Sequence, residues 1–133
     1  MTWPIAFAAT ALVMAGLDFI WLTSMSGPFY RRLLGHLMAP SPNMTAAVVF
    51  YLLYIAGILV FAVRPALASG DWRQALMLGA LLGLVAYATY DLTNLATMKD
   101  WPLSVTLVDM AWGAFLTGLA ASAGALAALK LTG

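Results

Sequence analysis

The twenty residues MTAAVVFYLLYIAGILVFAV, at positions 44–63, decide the fold because they contain no charged side chain. A helix needs about 20 consecutive apolar residues to cross the ~30 Å hydrocarbon core of a bilayer. At a rise of ~1.5 Å per residue, this stretch is long enough to do so. We therefore predict a transmembrane helix over residues 44–63.

Three further apolar stretches of comparable length lie on either side of this one. They predict spans over residues 3–25, 74–97 and 103–129. Proline disrupts a helix interior, so Pro65 and the turn at residues 69–71 are expected to separate the second and third stretches. The sequence thus predicts four spans, numbered one to four in chain order.

The overall composition supports a membrane location. Of the 133 residues, 64% are hydrophobic and only 8% are charged, whereas soluble domains carry about 25% charged residues. A soluble domain this apolar could not cover its surface with polar groups, so most of the surface must contact lipid. We predict an all-α integral membrane protein in which a four-helix bundle forms a single domain over residues 1–133.

Charge and cysteine content exclude several classes of protein. The formal net charge is +1, and the six Lys and Arg residues form no basic stripe of the kind that binds nucleic acid. Cysteine is absent, which excludes disulfides, thiolate metal sites and cysteine nucleophiles. With a single histidine as well, the sequence predicts neither a metal site nor a cofactor.

The first loop, residues 26–43, has a pattern of its own. Apolar and basic residues alternate around Tyr30, Arg31 and Arg32 with roughly helical spacing, which predicts a short amphipathic helix in the headgroup layer. The simplest interpretation is a membrane-surface anchor. Alternatively the segment is a lid over a polar site, with Arg31 or Arg32 binding its carboxylates or an anionic lipid headgroup.

Membrane orientation is not fixed by the positive-inside rule. With four spans, both termini lie at one end of the bundle, and the first loop lies at the other, here called the first-loop end. Basic residues number three at each end, so the rule gives no clear answer. Balanced charge also permits insertion in both orientations, as in some small dimeric transporters, and a homo-oligomer is one expected state. The basic residues are Arg31, Arg32 and Lys99 at the first-loop end, and Arg64, Arg73 and Lys130 at the other.

Small residues predict close packing between spans. Gly79 and Gly83 form a Gly-x-x-x-Gly pair in span three, and Gly118 and Ser122 repeat that spacing in span four. Such pairs let two helix backbones approach closely within a membrane.

Three aspartates interrupt the apolar spans: Asp18, Asp91 and Asp109. An Asp at the centre of a transmembrane helix costs roughly 2.5–3.5 kcal/mol on insertion scales. Counted from the first-loop end, each lies six or seven residues inside its span, a depth of about 10 Å. We therefore expect the three carboxyl groups to lie in one layer.

Other side chains are expected to extend this aspartate layer. An Asp-x-x-Trp pair recurs in spans one and four, which run antiparallel. The aspartates could simply hold the bundle together through hydrogen bonds, but interhelical polar bonds average only about 0.6 kcal/mol. That is small against the cost of burying three acids, so a binding site is the favoured interpretation. Its further expected members are Trp21, Tyr51, Tyr54, Tyr87, Asn94 and Trp112.

Several strings distributed over nearly the whole chain resemble a known family. They are LDFIWL (17–22), PFYRRLLGHL (28–37), FYLLYIAG (50–57), YATYDLTNLATMKDWPL (87–103) and TLVDMAWG (106–113). The chain resembles a family of small bacterial inner-membrane proteins, catalogued as a domain of unknown function with four predicted helices. The resemblance implies a multi-pass protein of the bacterial cytoplasmic membrane and carries no established activity.

Three functions remain open at this stage. Carboxylates on several helices are what proton or cation transport requires, and a small solute or cation would then be the ligand. Alternatively the protein is an enzyme or binding protein for a membrane lipid, with an Asp as general acid or base, although the sequence identifies no catalytic residue. The third hypothesis is a non-catalytic partner subunit whose aspartates meet basic residues of another membrane protein.

Overall fold

The computed structural model describes residues 1–132, and within that range it is helical with no β-strand. Four helices are long and apolar enough to cross a membrane. The predicted all-α, four-span fold is confirmed. The four helices run Thr2–Leu37, Met44–Ser69, Trp72–Thr97 and Leu103–Thr132.

Span one continues well beyond its predicted end. Its α-helix, Thr2–Met25, runs into a π-helical turn at Ser26–Arg31. An α-helical turn and a short 3₁₀ turn carry the helix on to Leu37. Pro28 lies inside the π-helical turn, where its missing N–H interrupts the regular α-helical ladder. The helix predicted for the first loop is therefore joined directly to span one.

Pro65 does not end span two, and its predicted end at residue 63 is corrected to Ser69. A π-helical turn at Leu59–Val63 ends two residues before the proline. Since a proline ring crowds the carbonyl one turn back and donates no hydrogen bond, a widened turn there lets the helix continue. The helix ends instead at Gly70, whose left-handed φ of 74° favours glycine.

The centre of the bundle is the contact between spans three and four. A Cβ added at Gly83 would lie 2.0 Å from the carbonyl oxygen of Gly113. One added at Gly79 would lie 2.8 Å from the Ala121 Cβ. The two backbones thus approach as closely as the Gly-x-x-x-Gly spacing predicts, which confirms the packing role of Gly79 and Gly83.

Spans one and two complete the bundle differently. Span one crosses span four closely at Gly124, where an added Cβ would lie 2.1 Å from the Thr10 Oγ1. Span two is buried mainly through its second half, from Tyr54 onward. Residues 44–50 of its first half are all exposed. Span two therefore leaves space on both of its sides near the first-loop end.

Candidate functional site

Asp18 of span one joins three helices through its carboxylate. The Tyr51 hydroxyl of span two donates to its Oδ2 atom, and the Trp112 indole N–H of span four donates to Oδ1 at 3.2 Å. Both oxygens therefore have a donor, and both donors come from residues predicted for the aspartate layer.

Asp109 of span four has a donor from an unexpected direction. The Tyr30 hydroxyl donates to its Oδ1 atom, and the Trp21 indole N–H donates to the Tyr30 hydroxyl oxygen at 3.0 Å. Tyr30 lies in the π-helical turn that extends span one. The segment predicted as a lid thus reaches the aspartate layer through a tyrosine hydroxyl.

The two Asp-x-x-Trp pairs are arranged crosswise. Trp21 and Trp112 stack with ring centroids 4.2 Å apart and planes 9° from parallel. Trp112 donates directly to Asp18 of the opposite span, whereas Trp21 reaches Asp109 through Tyr30. A residue three positions away lies on the same helix face, so antiparallel spans bring each tryptophan to the acid of the other.

Asp91 of span three differs from the other two acids. It is fully buried, with 0% of its surface exposed. No protein group among residues 1–132 donates a hydrogen bond to either of its carboxylate oxygens. Its side chain lines the same cavity as the Asp109 carboxyl group. The two acids are therefore a pair that shares one cavity, and one member lacks any donor.

Two cavities meet at this layer. The first, here the pair cavity, is about 380 Å³ in volume, and the second, here the central cavity, is about 340 Å³. Asp109 and Tyr87 line both of them. No Lys, Arg or His side chain of the described chain lines either one. The pair cavity is lined by Phe50, Ala86, Tyr87, Tyr90, Asp91 and Asp109, and the acidic and aromatic lining of the central cavity is Asp18, Trp21, Tyr30, Tyr87, Asp109 and Trp112.

A third space, here the side groove, lies between spans one and two. Its volume is about 520 Å³, and its lining is apolar except for Asp18 and Tyr51. Asp18 therefore borders both the side groove and the central cavity.

Some of the predicted site residues lie apart from the carboxylates. The Tyr54 hydroxyl pairs with the Thr117 hydroxyl at 2.8 Å. Asn94 lines neither the pair cavity nor the central cavity. Arg31 and Arg32 are exposed, and neither forms an ion pair with a carboxylate within residues 1–132.

Three residues of the pair cavity, Phe50, Ala86 and Tyr90, were not proposed for the site from the sequence. Tyr90 directly precedes Asp91, so counting residues predicts that it lies in the aspartate layer. Helical periodicity, however, places Tyr90 beside the inward face of span three and not on it. Phe50 directly precedes Tyr51 and gave no signal that distinguishes it from other apolar residues of span two.

The acids do not form a metal-ligand set in the described chain. No group of three or more His, Cys, Asp or Glu side chains is placed there to hold one metal ion. Asp109 shares one cavity with Asp91 and the other with Asp18. Asp109 is therefore the acid that the two cavities have in common.

Four spans that carry one buried and two half-buried acids define an integral membrane protein with carboxyl groups between its helices. The chain belongs to the family described as predicted membrane protein (DUF2177), whose sequence model matches residues 3–126. That match spans nearly the whole chain and confirms the resemblance carried by the motifs. No curated protein and no solved structure matches the chain.

Proposed function

We propose that the protein binds a proton or a small cation at the aspartates of its spans and carries it through the membrane. The observation that carries this proposal is Asp91, a wholly buried carboxyl group with no hydrogen-bond donor. An isolated carboxylate is too costly to bury without compensation. A proton or a bound cation supplies that compensation, whereas no basic side chain lines the cavity.

Transport rather than static binding is favoured by the position of Asp109. Because its carboxyl group borders both cavities, a cation or proton can pass from one to the other without leaving a carboxylate. Tyr30 donates to Asp109 from the helical extension of span one. Displacement of that extension would expose Asp109 at the first-loop end, which is the opening step that a transporter needs. We place this activity in the bacterial cytoplasmic membrane, with a homo-oligomer as the transporting unit.

The test is flux in proteoliposomes that hold the purified protein and a pH-sensitive dye, with imposed proton and cation gradients. We expect Asp91→Asn and Asp109→Asn to reduce flux to the level of empty liposomes. The control is Asp100→Asn, which makes the same chemical change at an exposed turn residue. Its φ of 62° is one that asparagine tolerates. Flux that survives Asp91→Asn, or none from the unaltered protein, would refute the proposal.

A lipid-binding function is the second candidate, and the side groove is the observation that favours it. A long apolar groove with Asp18 and Tyr51 on its wall could take an acyl chain with a polar group beside the acid. Ala15 lines the groove, so Ala15→Phe would fill it. If a lipid is the ligand, this variant should lose the lipids that co-purify with the unaltered protein, as measured by mass spectrometry. Unchanged lipid content would exclude the groove as a lipid site.

A further inference from the structure

We propose that the ligand of the pair cavity is an organic ammonium ion, held between the Asp91 and Asp109 carboxyl groups and the surrounding aromatic rings. This inference rests on the proposed cation-binding function and narrows it to one chemical class. Three of the six lining residues are aromatic, two are acidic and the sixth is an alanine.

The lining suits an organic cation better than a metal ion. Hard cations such as Ca²⁺ and Mg²⁺ take about six or more oxygen ligands, close to the metal on several sides. The pair cavity offers two carboxyl groups and two phenol hydroxyls, and its remaining wall is ring surface and a methyl group. Ring surface does not replace the water shell of a metal ion. It does attract a cation whose charge is spread over alkyl groups.

Aromatic side chains with adjacent acids are the usual means of recognising quaternary ammonium groups. A cation within ~6 Å of a ring centroid gains about 0.5–1 kcal/mol at exposed sites and ~2 when desolvated. The rings of Phe50, Tyr87 and Tyr90 line one cavity of about 380 Å³, which lies within the range of ~300–1,000 Å³ typical of small-molecule sites.

The rings are held in place by contacts outside the cavity. Tyr90 makes an edge contact with Trp101, with centroids 5.7 Å apart, and Phe50 stacks on Tyr54 at 5.3 Å. Tyr87 packs against the backbone of span four, since a Cβ added at Gly113 would lie 2.3 Å from the Tyr87 Cγ. A lining fixed before the ligand arrives loses less entropy on binding.

The cavity is bordered by residues on the outer surface of the bundle. Phe50 and Tyr90 are 51% and 60% exposed, on spans two and three. In a bilayer this surface faces the acyl chains. A ligand that carries alkyl or aryl groups beside its charge can therefore enter sideways from the membrane, whereas a hydrated metal ion cannot.

Charge balance links ligand binding to a proton. Two carboxyl groups that line one cavity with no basic partner should hold a proton when the cavity is empty, because two like charges in one small cavity repel. An ammonium ion that enters the cavity beside the two acids replaces that proton as the compensating charge. The exchange is one positive charge for another, so binding should release a proton and uptake of a proton should expel the ligand.

The experiment is calorimetry on the purified full-length protein in lipid nanodiscs, with tetraethylammonium, sodium and magnesium chlorides as separate titrants. Repeating the titrations in buffers of different ionisation enthalpy reports the protons released. We expect tetraethylammonium to bind with proton release, and both metal ions to bind far more weakly. Asp91→Asn should abolish binding and proton release together.

Ring variants keep the test informative if the acid variants fail to fold. Tyr90 is exposed, so its replacement leaves the core intact. We expect Tyr90→Leu to weaken tetraethylammonium binding about 3- to 30-fold, the range that corresponds to one cation–π contact. The control Tyr90→Phe keeps the ring, and its affinity should stay within about 2-fold of the unaltered protein.

The outcomes separate this inference from the proposed function. Sodium binding without tetraethylammonium binding overturns the organic-cation assignment and leaves cation transport standing. Proton flux that depends on Asp91, with no binding of any titrant, also overturns it and leaves a proton carrier. Equal effects of Tyr90→Leu and Tyr90→Phe would exclude the ring as a binding surface. If no titrant binds and Asp91→Asn leaves flux unchanged, both proposals fail.

Discussion

Replacing Gly83 by alanine should destabilise the bundle more than any other single methyl group added to a helical glycine. The new Cβ would lie 2.0 Å from the Gly113 carbonyl oxygen, whereas ordinary van der Waals contact begins at 3.4 Å. The obstructing atom belongs to the backbone, so no side chain can rotate away. Spans three and four would have to separate by about 1.4 Å at this point.

The stability that Gly83→Ala is expected to lose follows from two opposing effects. Overpacking a tight contact costs typically about 1–3 kcal/mol. Alanine is favoured over glycine in a helix by up to ~1 kcal/mol, which offsets part of that cost. We therefore expect Gly83→Ala to lower the free energy of unfolding by about 1–2 kcal/mol. Gly57→Ala is the matched control, because its added Cβ would meet nothing within 4 Å.

Both variants can be measured by denaturant titration in detergent micelles, with helix content followed by circular dichroism. Gly57→Ala should be as stable as the unaltered protein, or more stable by up to ~1 kcal/mol. Gly83→Ala should unfold at lower denaturant. Equal stability of the two variants would refute the close approach of spans three and four, and with it the position of Tyr87 against Gly113.

Three other substitutions address the site and the helix ends. Trp112→Phe keeps an aromatic ring but removes the donor to Asp18. We expect the free energy of unfolding to fall by about 1–3 kcal/mol, measured by the same denaturant titration. A smaller loss of stability in Trp112→Phe than in Trp21→Phe would contradict the direct hydrogen bond from Trp112 to Asp18. Tyr30→Phe removes the hydroxyl on Asp109, so hydrogen exchange of the backbone amides at residues 26–37 should speed up, and unchanged exchange would mean that this bond does not hold the segment. Pro65→Ala should leave span two helical to Ser69, with stability unchanged or raised, as read from circular dichroism and unfolding.

The four spans could be predicted because hydrophobic length is a local property of the sequence. The depth of the acids was readable in the same way, since counting residues along a helix gives a height in the membrane. The ends of the helices were harder to predict. Pro65 predicts the end of a helix, yet the turn at Leu59–Val63 widens and the helix continues to Ser69. A proline can end a helix or be accommodated by such a turn, and residue type alone does not distinguish the two outcomes.

Partner choice within the layer could not be predicted from counting. Height alone does not say which donor meets which acid, because this depends on how each helix is rotated and where it crosses the next. Tyr51 and Tyr54 both belong to span two, but only Tyr51 points to Asp18, while Tyr54 meets Thr117. Asn94 lies one turn from Asp91 and lines neither cavity that holds an acid.

The crosswise tryptophan stack restricts which parts of the molecule can move. Turning span one against span four would separate the indole rings and strip the donors from both acids in the same motion. These two helices should therefore behave as one rigid frame. Span two is tied to this frame as well, because the Tyr51 hydroxyl donates to Asp18 and the Tyr54 hydroxyl pairs with Thr117. Within span two, only the exposed first turns, residues 44–49, lack such a tie to the frame.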